Sequence, residues 1–146
     1  MKTTSDGIPL SQWSKVHRIA LKISNFTIMQ KDSDAKLWQN KMIVLLNNLL
    51  LQYGEKSGLI ATIADYTNDN DKKIQLWEKA YQIALKTSDY QNMTYVSHSL
   101  ADFHVRYSHN KNESIKWIGI LSSCLNNYTE DFESEDFIQM KNELGL

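Results

Sequence analysis

From Leu10 onward the apolar residues return in steps of three and four. Trp13, Val16, Ile19, Ala20, Ile23 and Phe26 fall on one side of a helix. The polar run Lys31-Asp32-Ser33-Asp34 breaks that stripe, and its Asp and Ser side chains suit a cap for the next helix. This second helix, over about 35–53, carries Leu37, Trp38, Met42, Val44, Leu46, Leu49, Leu50 and Leu51 round most of its circumference. A helix apolar nearly all round is expected to be buried from several sides, here as the centre of the amino-terminal half. Gly54 beyond its end predicts a left-handed cap.

Shorter segments come next. Ser57 is placed to cap a helix holding Leu59, Ile60, Ile63 and Ala64 that ends near Tyr66, and Asp71 to open one presenting Ile74, Trp77, Ala80, Tyr81, Ala84 and Leu85. Ser88 with Gln91 has the form of a capping box ahead of a stripe of Met93, Val96, Leu100, Phe103 and Tyr107. Asn110 with Glu113 is a second capping pair, before Ile115, Ile118, Leu121, Cys124 and Leu125. Gly119 inside that helix would cost about 1 kcal/mol relative to Ala, which predicts the close approach of a neighbour there. After a connector over 126–131, Phe137, Met140 and Leu144 predict a last helix over about 134–144. These segments make seven helices in a single domain over 10–146. Residues 1–9, with Gly7 and Pro9, are expected to form a loose, flexible leader.

The pattern also repeats. Ile60-Ala61-Thr62-Ile63 is answered forty positions later by Leu100-Ala101-Asp102-Phe103, and Trp77 by Trp117. Asn68-Asp69-Asn70-Asp71 and Ser108-His109-Asn110-Lys111-Asn112 are the polar breaks within the two copies. Helix, tight turn, helix, repeated at a fixed period, is the signature of stacked helical repeats. A second self-match sets Leu10 to Met29 against Ile74 to Met93 and aligns Trp13 with Trp77.

Composition narrows the class. At 146 residues the chain is long enough to bury roughly 70% of its unfolded surface, so folding needs no metal or disulfide. Its one cysteine forms no intramolecular bridge, and one proline among five glycines suits helices better than a sheet full of turns. A net charge of −1 weighs against nucleic acid as the main partner, because phosphate binding needs clustered Lys and Arg. The polar start predicts no signal peptide. The longest apolar block, over 42–51, is broken by Asn47-Asn48 and is too short to span a bilayer. A cytoplasmic protein without membrane association is the expectation.

Large-then-small pairs in first helices (Leu100-Ala101, Ile60-Ala61) and an aromatic in second helices (Trp117, Trp77) resemble the tetratricopeptide-type repeat. The phrase Trp77-Glu78-Lys79-Ala80-Tyr81-Gln82-Ile83-Ala84-Leu85 is similar to that family's second-helix wording, although the period of forty exceeds its roughly 34 residues. The resemblance implies an all-α stack of antiparallel helix pairs. It also implies a concave face lined by first-helix positions: Thr62, Asp65 and Tyr66 in one copy, and Tyr95, His98, Asp102, Val105 and Arg106 in the next. Aromatic residues and Arg dominate protein-binding hot spots, so Asp65, Tyr66, Tyr95, His98, Asp102 and Arg106 are the candidate partner-binding residues. Asp102 and Arg106 are equally placed for a plain i,i+4 surface pair.

The acidic run contributes Glu130, Asp131, Glu133, Glu135 and Asp136, a negative patch that would steer a basic partner. Its alternative reading is a solvated linker favouring the amino end of the last helix. His98, His104 and His109 lack metal-ligand spacing, and no cofactor motif occurs. Cys124 on an apolar stripe reads as a buried thiol. His98 and Asp102 could share a hydrogen bond, but no nucleophile is placed beside them. The functional expectation is a non-catalytic protein-binding module, foremost a small bacterial immunity or antitoxin-type inhibitor that occludes a basic, nuclease-like toxin domain. The alternative is a peptide-binding scaffold or regulatory sensor.

Overall fold

The computed structural model describes residues 2–126 and 131–146, apart from the side chains of 131–134. The chain is built of α1 (Leu10–Ile28), α2 (Asp32–Tyr53), α3 (Ser57–Asp65), α4 (Asn70–Lys86), α5 (Tyr90–Phe103), α6 (Lys111–Leu125) and α7 (Asp131–Leu144). A π-helical segment, His104–Ser108, continues α5. Among the described residues there is no strand, only an isolated bridge between Thr3 and Pro9.

Neighbours in sequence pack in pairs: α1 on α2, α3 on α4, α5 on α6. Helix α4 also lies on α5, α2 touches α3, and α7 rests on α5, α6 and the π-helical segment. The pairs therefore succeed one another in a solenoid-like stack. The offset of forty maps α3 and α4 onto α5 and α6. The second self-match instead joins α1, which opens its pair, to α4, which closes one, so it does not relate equivalent positions in the stack.

Two apolar clusters hold the stack. The larger joins α3 to α7 and contains both repeat tryptophans, Trp77 and Trp117. Trp77 meets Phe103 edge-on at 6.0 Å, and Trp117 meets Tyr81 at 5.2 Å. Such contacts add about 0.5–1.5 kcal/mol to the burial of the rings themselves. Ala61, Ala64, Ala80, Ala84 and Ala101 are fully buried, and their small side chains let α3, α4 and α5 approach closely. The second cluster joins Ile8, α1, α2 and Leu59.

Several local expectations change. Helix α2 is not enclosed: Leu37, Val44 and Leu51, seven residues apart, are exposed, while Met42, Leu46 and Leu49 on the other side are buried. Among the described residues, α1 and α3 are the helices that pack against it, and its outer face is left open. No side chain caps α2, and Asp32 and Asp34 sit in its first turn instead. The caps of α4, α5 and α6 are Asp69, Asp89 and Asn110, each accepting from the backbone N–H three residues on. Asn110 was the expected cap; Asp71 lies inside α4, and Ser88 takes a positive φ of 54° before Asp89.

Ser57 does not cap α3 but donates its hydroxyl to the Ala80 carbonyl at 2.8 Å, fastening α3 to α4. The cap arrives from the leader, where Asp6 Oδ2 accepts from the Gly58 N–H at 2.8 Å. The segment expected to be loose is thus packed down, with Ile8 fully buried. Gly54 has φ 82° and ψ −171°, an extended conformation essentially reserved for glycine, in place of the left-handed helical one. Among the described residues, no atom beyond the nearby backbone of α6 itself lies within 4 Å of where a Cβ on Gly119 would sit, so no neighbouring helix approaches it closely.

Candidate functional site

Where α3 ends, its last residue faces α5 across the start of α4. The gap is a cleft of about 390 Å³ lined by Asp65, Asn70, Lys73, Trp77, His98, Ser99, Asp102, Phe103 and Tyr107. Asp65 organises one wall. Its Oδ1 accepts from the Trp77 Nε1–H at 3.1 Å, and its Oδ2 accepts from the Tyr95 hydroxyl. Burial raises the Asp65 carboxyl above its ordinary range, against the pull of Tyr95, Trp77 and Lys73. The Tyr95 phenol is pushed up in turn, first by burial and then by the Asp65 charge.

The two repeat tryptophans differ here. Trp117 donates to Glu113 on its own helix at 3.2 Å, whereas the Trp77 indole reaches across to α3. Lys73 Nζ lies 5.5 Å from the centre of the Trp77 ring.

The other wall carries a network that ties α5 to α7. Arg106 donates to Asp102, to Asp136 at 2.9 Å and to Glu143 at 3.4 Å. Asp136 uses its second oxygen for His98 Nε2, at 2.6 Å. The bond to Asp136 is the main reason that the Arg106 guanidinium holds its proton more firmly than usual. Burial works against ionisation of Asp136, but hydrogen bonds from Arg106 and His98 outweigh it and hold the carboxyl below its ordinary range. His98 and Asp102, spaced for a mutual hydrogen bond, do not pair with each other: each has a different partner.

The π-helical segment sets the rim. Its wider turn moves Tyr107 off the core stripe on which the helical spacing put it, and the side chain is 71% exposed. The ring stacks on Phe103 at 5.8 Å. Single-turn π segments are often found at functional sites. His104 and Val105 in the same segment turn inward. His104 Nδ1 meets Ser108 Oγ at 2.9 Å, and burial lowers the imidazole pKa.

The structure therefore brings together Asp65, Tyr95, His98, Asp102, Arg106 and Asp136. Tyr66 is separate, packed against the second apolar cluster beside a recess lined by Thr27, Asp32 and Lys36. Val105 is buried rather than on the groove, and Thr62 spends its hydroxyl on the Gly58 carbonyl. Glu135 is exposed. Glu130 and the side chains of Asp131 and Glu133 lie outside the described residues.

Sequence reasoning missed Lys73, Trp77, Phe103, Tyr107 and Glu143 as site residues. Trp77 and Phe103 read as core on their spacing, and both are core on one side. Nothing local marks Glu143 as the partner of a residue 37 positions away.

Among the described residues no group of His, Cys, Asp or Glu could hold a metal ion, and no helix is long and apolar enough to cross a membrane. No protein-family model, curated protein or solved structure matches the chain.

Proposed function

We propose that this chain is a non-catalytic protein-binding module of the immunity or antitoxin type, which occludes a basic toxin domain by docking the α3–α5–α7 face onto it. The observation that carries the reading is Asp65: a sheltered carboxylate with no cation within 4.0 Å among the described residues, set in an aromatic cleft. Beside it Asp102, Asp136 and Glu143 converge on the single guanidinium of Arg106, so the edge keeps a surplus of negative charge. Such a field complements a cationic groove and speeds encounter with it. Nuclease toxins carry such grooves because their substrate is anionic.

Support for a binding role also comes from what the reactive groups are doing. His98 Nε2 is occupied by Asp136, and burial raises the Cys124 thiol pKa. The paired, stacked helices are in keeping with a tetratricopeptide-like, cytosolic binding protein. A second reading, capture of a short peptide, is favoured by the place of the cleft: it opens between α3 and α5, the first helices of successive pairs.

The test is co-purification with the product of the neighbouring reading frame at low and high salt, alongside growth of cells lacking this chain. A basic protein held at low salt and released at high salt, with toxin sensitivity in the deletion, is the expected result. Absence of both a complex and sensitivity overturns the reading. Salt-insensitive binding of a short segment would move it to peptide capture.

A further inference from the structure

We propose that the cleft receives one arginine side chain of the docked protein, its guanidinium meeting the Asp65 carboxylate and lying against the rings of Trp77, Phe103 and Tyr107. The inference rests on the reading that a basic protein docks on this face, and it names what that protein inserts.

A carboxylate offers about four lone-pair positions. Trp77 takes one on Oδ1 and Tyr95 one on Oδ2, so each oxygen keeps acceptor capacity. The charge is likewise unspent. Lys73 stands over the Trp77 ring at 5.5 Å and makes no ion pair with Asp65, and burial still raises the Asp65 carboxyl despite Lys73. The other polar groups that could meet a cation are committed elsewhere: Asp102 to Arg106, and His98 to Asp136. A fresh cation would therefore find an incompletely compensated carboxylate and no free competitor but Lys73.

The walls choose between the two basic side chains. A guanidinium is planar, weakly hydrated and stacks on aromatic faces, whereas an ammonium holds its water. The cleft volume of about 390 Å³ falls at the small end of ligand pockets, which suits one long side chain and its stem.

The Trp77 indole N–H reports directly on the site because it is bonded to Asp65. The full chain, labelled with nitrogen-15, is titrated with acetyl-arginine amide and with the lysine and citrulline analogues, the last an uncharged near-isostere. The expected result is a saturable shift of the Trp77 indole resonance with arginine, roughly ten-fold tighter than with lysine. Citrulline should give none, and the Trp117 indole should not move. Asp65→Asn should abolish the shift, with circular dichroism confirming the fold. If Asp65→Asn does not fold, Lys73→Met decides: removing the ammonium that stands over the Trp77 ring should tighten arginine binding.

An equal response to citrulline or lysine, no saturable shift, a shift surviving in Asp65→Asn, or unchanged affinity in Lys73→Met would overturn the proposal. Failure here with an intact salt-sensitive complex removes the arginine and leaves the docking. Loss of the complex with arginine binding retained does the reverse.

Discussion

The link between Arg106 and Asp136 is one of the contacts that fasten the last helix to the stack, and its strength is set by its surroundings. Hydrogen bonds to charged groups contribute about 1.5–3 kcal/mol when sheltered, and exposed ion pairs about 0.2–1. With 27% of the Arg106 side chain and 25% of Asp136 still exposed, the pair lies between these limits. Arg106→Gln, Asp136→Asn and the double variant form a cycle whose coupling energy should be about 1 kcal/mol. Arg106→Gln alone should cost about 2 kcal/mol, because it leaves Asp102, Asp136 and Glu143 facing one another without a cation.

That loss should grow at low salt, where screening over about 10 Å at 0.1 M is relaxed. Urea denaturation measures the cycle, and amide exchange in α7 shows whether that helix loosens first. The pH sign is fixed by the depressed carboxyl of folded Asp136. Its contribution is present above the ordinary value of 3.8 and is lost as pH falls through the lower folded value. The gap between wild type and Asp136→Asn should therefore close in acid. A coupling no larger than the roughly 0.3–0.5 kcal/mol within which independent sites add, unchanged by salt, would refute the reasoning.

Two further substitutions test local claims. Gly119→Ala should raise the urea midpoint by the equivalent of about 0.5–1 kcal/mol, since among the described residues the added methyl meets no neighbouring element within 4 Å and helix propensity alone acts. A loss would mean that α6 does need the glycine. Asp6→Ala should cost about 1 kcal/mol and speed exchange of the Gly58 amide, because it removes a cap that acts from 52 residues away. Unchanged exchange would show that the leader does not hold α3.

Much of the architecture was legible because its causes are local. Apolar spacing along ten to twenty residues selects a helix and its buried face whatever packs there, so seven helices and the burial of Trp77 and Trp117 could be read directly. Asn110 as a cap depends on its own neighbours, and it caps as expected. Asp65, Tyr95, His98, Asp102 and Arg106 lie together because α3 packs beside α5 and Arg106 follows Asp102 by one turn.

What spacing could not supply was the identity of each partner. His98 and Asp102 stand one turn apart, yet α7 gives His98 the carboxylate of Asp136, and Arg106 takes Asp102. Leu37, Val44 and Leu51 read as buried because they are apolar, but burial needs a neighbour, and among the described residues no helix packs against that face of α2. Tyr107 left its predicted stripe through one π-helical turn that helical periodicity does not encode. The sequence by itself determined which segments coil and which side of most of them avoids water, since backbone and side chain decide this over a few residues. Only the tertiary structure decided which charges meet, because contacts spanning 30 to 52 residues depend on where whole helices come to rest.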